Sequence, residues 1–347
     1  PRGGGAAAEA AQAEPAPEGV SGEVAAPRVV AVTGASGFVG SHLVEGLVAR
    51  GWRVRRLVRA GSPPAAAAPS AGIETRVVDY ADARTLRDAL DGVDAVLHAA
   101  GVTRRRTLDA FRAGNVHPTQ AVVDALAAQA RAGAAARLVL VSSQAAAGPA
   151  RAPDAPVTED DAPRPVEAYG RSKLEAEEIV RAADVPWTIV RPCAVYGSRD
   201  ADFARAFRHA RLGLAVHPAP AGARLSLVHV ADLADLLARA ASDPRAVGRT
   251  YFAAAHDATW HDVYAAAAAA AGARIRVELA PPPWALRLAG ALGGAYGRLT
   301  GREPLANPHK VTLALQPWWL CSAERARREL GWTPRVALEA GVREAME

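Results

Sequence analysis

The chain reads as an α/β protein, a doubly wound parallel sheet with helices on both faces, followed by a smaller C-terminal lobe. Three observations predict this. Short β-branched runs alternate with helical stretches from Val29 to Pro192, a glycine-spaced turn joins the first run to the first helix, and the alternation loosens after Pro192. Strands separated by single helices run parallel, because each crossover returns over a face of the sheet and covers it.

The elements follow in order. "RVVAVTG" is a strand ending in Gly34, and "SHLVEGLVARG" behind it has the Leu43 and Leu47 spacing of a helix stopped by Gly51. "WRVRRLVR" and "ETRVVD" read as strands, "ARTLRDALDG" as helix, "DAVLHAAG" as strand and "NVHPTQAVVDALAAQARAG" as helix. The series closes with "RLVLVSS" as strand, "EAYGRSKLEAEEIVRAA" as helix and "WTIVRP" as strand. Beyond Pro192, helical pieces such as "ADFARAFRHARLG", "ADLADLLARAASD" and "HDVYAAAAAAAGA" are mixed with short strand-like runs, "RLSLVHV", "RTYFAA" and "RIRVEL". In "SAERARRELG", Ser322 is placed to cap and Gly331 to stop a helix. The expected organisation is a disordered extension over 1–26, a dinucleotide-binding domain over 27–192, and a substrate-binding lobe over 193–347 that returns segments to the main sheet. The extension is assigned from its Ala, Gly, Pro and Glu, which lack hydrophobic periodicity and cannot bury enough apolar surface to order themselves.

Composition excludes several classes. The formal charge is +5, but the arginines are scattered among Asp and Glu rather than gathered in one run, which argues against a nucleic-acid partner. Two cysteines, Cys193 and Cys321, have neither metal-ligand spacing nor the density of a disulfide scaffold, so no metal is expected and a reducing cytoplasm fits. There is no basic segment followed by an apolar core at the start. The apolar stretch "LAGALGGAYG" is about half the ~20 residues of a spanning helix, so a soluble protein without a membrane span is expected.

The turn "VTGASGFVGSHL" places Gly34, Gly37 and Gly40 three apart, with Phe38 and Val39 opening the helix. Missing side chains let backbone N–H groups approach a pyrophosphate, and the helix N-terminus favours the anion. The spacing is GxxGxxG rather than GxGxxG, and glycines at helical spacing also serve close packing; the place of the turn in a βαβ unit selects the cofactor reading. About 20 residues further on, an acidic residue suits NAD and an arginine suits the 2′-phosphate of NADP. Arg59 stands there, with Arg55 and Arg56 as candidate helpers, so NADP is preferred over NAD. Ala99, Ala100 and Gly101 end the fourth strand, where small residues let a cofactor lie against the backbone.

These motifs together carry a resemblance. "TGASGFVG", "VVDYAD", "VLHAAG", "NVHPT", "LVSSQAAAG", "YGRSK", "RPCAVYG" and "VHVADLA" occur in the order seen in extended short-chain dehydrogenase/reductases, the superfamily of sugar-nucleotide epimerases, dehydratases, dihydroflavonol reductases and 3β-hydroxysteroid dehydrogenases. The resemblance implies a Rossmann-type sheet, a nicotinamide cofactor and a possible homodimer. It implies that Tyr169 is the general acid/base, Lys173 keeps it competent, and Ser143 holds the substrate oxygen. Lys173 is one of only two lysines among 41 basic residues. The phenol's ordinary pKa of about 10 makes it a poor base unless a cation lies near. Four residues apart on a helix, Tyr169 and Lys173 share a face, whereas Ser142 would point away from Ser143 and be structural.

Asn115 resembles the residue that holds the active-site helix and a water of a proton relay, with a plain N-cap as the alternative. Asp79 matches the carboxylate that accepts from the adenine amino group, with Tyr80 beside it; the alternative is a surface turn. Pro192 and Val195 match the segment lining the nicotinamide, and His229 and Asp232 match a motif that docks the substrate lobe. His98 and Cys193 are expected to be packing residues.

The expected reaction is hydride transfer between the nicotinamide and a carbonyl or secondary alcohol of a small, largely apolar substrate. A nucleotide-sugar epimerase or dehydratase with internally recycled NAD is the alternative, and a non-catalytic NADP-binding protein the third. Sugar-nucleotide members carry an arginine where Leu225 stands. Arg224 is one residue early, and such a shift turns a strand side chain to the other face. "SSQAAAG" offers Gln144 and alanines, which cannot supply the added acid/base pair of a dehydratase.

Overall fold

The computed structural model describes residues 29–62, 72–300 and 308–347; the extension over 1–26 lies outside them. In chain order the first half contains β1 (Val29–Thr33), α1 (Phe38–Ala49), β2 (Arg53–Val58), β3 (Ile73–Val77), α2 (Ala83–Leu90) and β4 (Ala95–His98). It continues through α3 (Leu108–Arg131), β5 (Arg137–Val141), α4 (Gln144–Ala147), α5 (Ala168–Arg181) and β6 (Trp187–Pro192). β1, β4 and β5 are buried almost end to end and read as unbroken apolar runs, as strands covered on both faces must.

The second half contains β7 (Ala194–Tyr196), α6 (Phe203–Arg211), β8 (Leu214–Val216), β9 (Arg224–His229), α7 (Val230–Ser242), β10 (Arg249–Ala253), β11 (His256–Thr259) and α8 (Trp260–Ala270). It ends with β12 (Val277–Leu279), α9 (Pro283–Thr300), α10 (Pro308–Ala314), β13 (Trp318–Trp319), α11 (Glu324–Leu330) and α12 (Leu338–Met346). The main sheet is seven-stranded, in the order β10-β6-β5-β4-β1-β2-β3, and every pairing in it is parallel. β10 therefore returns from the second half to the edge of the first. A second sheet joins β11, β9 and β13, with β7 also on β9, and β8 pairs with β12 separately.

The pleat divides the main core. Val30, Val32 and Leu97 pack with Leu43, Leu47, Leu236 and Leu237 of α1 and α7 on one face. Ala31, Val96 and Leu138 pack with Leu86, Leu126 and Ala176 of α2, α3 and α5 on the other. The chain winds one way from β1 to β2 and the other way from β1 to β4, so a crevice opens at the carboxyl ends of β1 and β4, where ligands bind in such sheets.

Two elements depart from the sequence expectation. α3 begins at Leu108, capped by Thr107, and runs through Pro118 instead of starting near Asn115. Proline removes one hydrogen bond from the ladder. The helix continues because neighbouring groups hold it there, with the Thr119 hydroxyl donating to the Asn115 carbonyl at 2.7 Å. "RIRVEL" is ordered as strand only over Val277–Leu279, since β8 offers three residues to pair with. The stop at Gly331 is left-handed with φ 60°, but the N-cap of α11 is Ala323 rather than Ser322, whose hydroxyl accepts from the Glu324 N–H at 3.3 Å.

Candidate active site

The glycine turn is shaped by contacts within the chain. Gly34 has φ +66°, and a Cβ on Gly40 would lie 2.1 Å from the Gly34 carbonyl oxygen, so neither position admits a side chain. Gly37 sits at the N-cap of α1 and supplies no side-chain cap to the first-turn N–H groups of Phe38 and Val39. A cavity below this turn is lined by Gly34, Gly37, Arg59, Tyr80, Ala99, Ala100 and Gly101, among others. The Tyr80 phenol is pushed up to about 12 by burial, against its hydrogen bond to Thr33 and the nearby Arg59 charge.

His98, at the end of β4, is fully buried, bonded to Thr33 at 2.8 Å and Thr119 at 3.1 Å. Burial and then the Lys173 charge push its pKa down to about 3, so it is neutral and packed. Asn115 is not an N-cap, because α3 starts seven residues before it. Its side chain accepts from the Val102 N–H at 2.7 Å and donates to the Val102 carbonyl at 3.1 Å and the Ser172 hydroxyl at 2.9 Å. It thus ties the loop after β4 to α5.

On α5, Glu167 caps the helix by accepting from the N–H groups of Tyr169 and Gly170. A Cβ on Gly170 would sit 2.3 Å from the Ala145 carbonyl oxygen, so this glycine is what lets α5 approach α4. That approach brings the Tyr169 phenol beside the Ser143 hydroxyl. Burial raises Tyr169 to about 12, with the Ser143 bond opposing and Glu167 adding to the rise. Lys173 donates to the Val141 carbonyl at 2.7 Å, and burial lowers its pKa to about 8 although Glu177 opposes this.

Ser142 and Ser143 point apart. Ser142 donates to Glu177 at 2.5 Å, and Glu177 is held by Arg191 at 2.7 and 2.9 Å and by Arg181 at 2.8 Å. Burial raises the Glu177 carboxyl, but these donors outweigh it and leave the pKa below the ordinary value.

Beyond Ser143 and Tyr169 a second cavity of about 470 Å³ opens into the second half of the chain. Phe203, Leu225, Trp260, Leu313 and Trp319 are among its walls. Gln144 also lines it, is almost completely buried, and its Nε2 has no hydrogen-bond partner. Arg104 and Asp202 line the cavity too and form an ion pair with each other.

Several sequence expectations are corrected. Arg55 is engaged by Glu74 at 2.8 Å and by the Ala89 and Asp91 carbonyls, and Arg56 is buried against Thr75, so neither is free to help Arg59. As consecutive residues of β2, Arg55 and Arg56 point to opposite faces of the sheet, while Arg59 lies past the strand end. Asp79 is exposed and its Oδ1 accepts from the Ala81 N–H at 2.9 Å, the turn geometry that its sequence alternative described. Cys193 and Ala194 border the 470 Å³ cavity, while Pro192 is buried in β6 and Val195 packs on the core. Burial and the neighbouring Cys321 push the Cys193 thiol up, as suits packing rather than nucleophilic attack. Arg224 was expected to be turned away, yet the cavity reaches both it and Leu225.

Asp232 accepts from the N–H groups of Arg335 and Val336 at 2.9 and 3.1 Å, and its carbonyl accepts from Trp332 at 3.1 Å. His229 lies 5.3 Å from the Tyr196 ring. The pair anchors the C-terminal segment beneath the second sheet.

The profile of the NAD dependent epimerase/dehydratase family matches residues 30–254. The chain belongs to this family. As a member it is an enzyme of the extended short-chain dehydrogenase/reductase type. It is 32% identical to a ceramide reductase of Caulobacter vibrioides, over 85% of this chain and 86% of that protein. It is 29% identical to a 2-alkyl-3-oxoalkanoate reductase of Stenotrophomonas maltophilia, over 90% of this chain and 97% of its relative. The fold is shared with the UDP-glucose 4-epimerase of Thermus thermophilus in complex with NAD, at a TM-score of 0.69 and 23% identity, over 92% of this chain and 97% of the other.

Proposed function

We propose that this chain is a carbonyl reductase, reducing a ketone on a largely apolar chain with a nicotinamide cofactor, and that residues 193–347 form its substrate lobe. The observation that carries this reading is the placement of Ser143 and Tyr169 together at one end of an apolar cavity. The uncapped N-terminus of α1 and the glycine-lined cavity fit a dinucleotide. When bound, the cofactor supplies the hydride to the carbonyl carbon.

The remaining chemistry falls to side chains. Ser143 donates to the substrate oxygen and orients it, and Tyr169 delivers its proton as negative charge develops there. A phenol held near 12 stays protonated at neutral pH, the state needed by an acid working in the reductive direction. Lys173 has three donors and Val141 takes one, leaving others for the Tyr169 phenol and the cofactor ribose. An arginine would not offer a compact ammonium in that space. Gln144 presents an amide beside Ser143, and a buried amide without a partner is costly. It fits a second oxygen on the substrate, near the ketone, as the name of the 2-alkyl-3-oxoalkanoate reductase suggests for that enzyme's own substrate. Arg59, at the cofactor cavity, favours the 2′-phosphate of NADP.

The test follows nicotinamide absorbance with long-chain 3-oxo compounds and with nucleotide-sugars. Oxidation of NADPH by the former supports the reading. A purified protein that carries tightly held NAD, converts no carbonyl and epimerises a nucleotide-sugar would overturn it. Arg224 on the cavity wall favours that second reading, since a guanidinium there can meet a diphosphate. Arg59→Ala is expected to weaken NADPH binding about tenfold and NADH binding little; equal losses would remove Arg59 from cofactor selection.

A further inference from the structure

The surface beside the apolar cavity has an inverted composition. Eleven large apolar side chains stand exposed among the described residues, and ten of them fall from Leu212 to Leu299. Five lie on α9: Trp284, Leu288, Leu292, Tyr296 and Leu299, of which Trp284 is 67% and Leu299 87% exposed. Their spacing of four, four, four and three places them on one face of the helix. Gly290 and Gly297, by contrast, are buried, and α10 packs on α9. A helix of a globular core turns its large side chains inward; this one turns its glycines inward.

The face adjoins the cavity. Leu313 and Ala314 of α10 wall the cavity from the side where α10 meets α9. Val216, Val277 and Leu279 of the β8–β12 pair are exposed, and Pro218 and Ala219, just after β8, wall the cavity as well. The charge is one-sided. Arg274, Arg276 and Arg287 are exposed and form no ion pair among the described residues. The one carboxylate of this stretch, Glu278, is taken up by His217 at 3.0 Å and His261 at 3.0 Å. Residues 283–300 contain arginines and no Asp or Glu. No described helix is long and apolar enough to cross a membrane, so a spanning role is not what this face serves.

We propose that the α9 face, with the β8–β12 edge, docks on an anionic lipid bilayer, α9 lying in the headgroup layer with its apolar stripe downward. Large apolar side chains flanked by unpaired arginines are the composition of an interfacial helix, and negative headgroups complement the arginines. A second copy of the chain suits the face less well, because a two-fold pairing would set the same positively charged face against itself. Docked in this way, the cavity receives an apolar substrate from the bilayer without its passing through water. That use of the surface rests on the reductase reading, whereas bilayer binding does not.

The test is co-flotation of the full chain with phosphatidylcholine vesicles, with or without about a third phosphatidylglycerol. Binding to the anionic vesicles that weakens with salt is expected. Leu288→Asp/Leu292→Asp should reduce it about tenfold or more. The same variant should keep its NADPH affinity and its turnover of a short, water-soluble ketone, which shows that it is folded. Trp284→Phe should remove most of the blue shift in tryptophan emission on adding vesicles. Absence of binding to anionic vesicles, or binding undiminished in the double variant, would overturn the proposal. So would a dimer that the double variant splits in the absence of any vesicle binding. Vesicle binding without carbonyl reduction would sink the reductase reading and leave the docking surface standing.

Discussion

The two cavities at the candidate site are lined by consecutive residues, Gly101 and Val102 in one and Thr103 and Arg104 in the other, yet they are built from different materials. The first is fixed by backbone and by polar groups that are almost all paired: Thr33, His98 and Thr119 in a chain, Asn115 on Val102 and Ser172, and Ser142 with Glu177 and Arg191 behind. The second is walled by aromatic and aliphatic side chains from β9, α6, α8, α10 and β13, with the Gln144 amide left unpaired. A paired polar scaffold holds one geometry, which suits a cofactor of constant shape. An apolar wall assembled from remote segments sets size and character, and a lone polar group in it is available to a substrate.

The largest effect that would break this contrast is chemical. Tyr169→Phe is expected to lower turnover by about a thousandfold while changing cofactor affinity little, read by steady-state kinetics and NADPH titration. Retained turnover would mean that the scaffolded side does not hold the acid. The next is structural. Glu177→Gln leaves Arg191 as an uncompensated buried charge and should cost about 3–5 kcal/mol in urea unfolding; a loss under 1 kcal/mol would show that water reaches the pair.

The third sharpens the contrast through pH. His98 is neutral in the fold with a pKa near 3, lowered by burial and then by Lys173, whereas the unfolded chain takes a proton near 6.5. Between those values the unfolded state binds more protons, so stability falls as pH drops from about 6.5 towards 3, by up to ~1.4 kcal/mol per pH unit. His98→Gln should flatten that slope in denaturation midpoints measured across the window, whatever it does at neutral pH. The smallest expected effect lies on the apolar side. Gln144→Leu should raise KM about tenfold for a ketone with a neighbouring oxygen and much less for a simple ketone; equal changes for both would mean that Gln144 only packs.

Legibility in the sequence followed the same division. The strands of the main sheet were readable because burial on both faces demands continuous apolar runs. The GxxGxxG turn and the Tyr169–Lys173 spacing were readable because backbone approach and helical periodicity act over a few residues. Asn115 was misplaced as a possible cap because nothing local shows that α3 continues across Pro118. Gly170 passed without comment, although its missing Cβ sets the distance between α5 and α4. Gln144 was judged only as an acid or base, and its burial without a partner could be known only once its neighbours were in place. Arg224 was turned away by the strand rule, yet the cavity is wide enough to reach both Arg224 and Leu225.

By itself, then, the sequence determined the sheet, the glycine turn and the spacing of the proton-transfer pair, because each depends on residues within one or two turns of chain. The tertiary structure alone decided which arginine stands free at the cofactor cavity, that the Gln144 amide is buried without a partner, and that α9 turns its glycines inward and its Trp, Leu and Tyr side chains to the surface. Those outcomes depend on contacts between segments tens to hundreds of residues apart, and no local pattern encodes which of two faces a distant neighbour will cover.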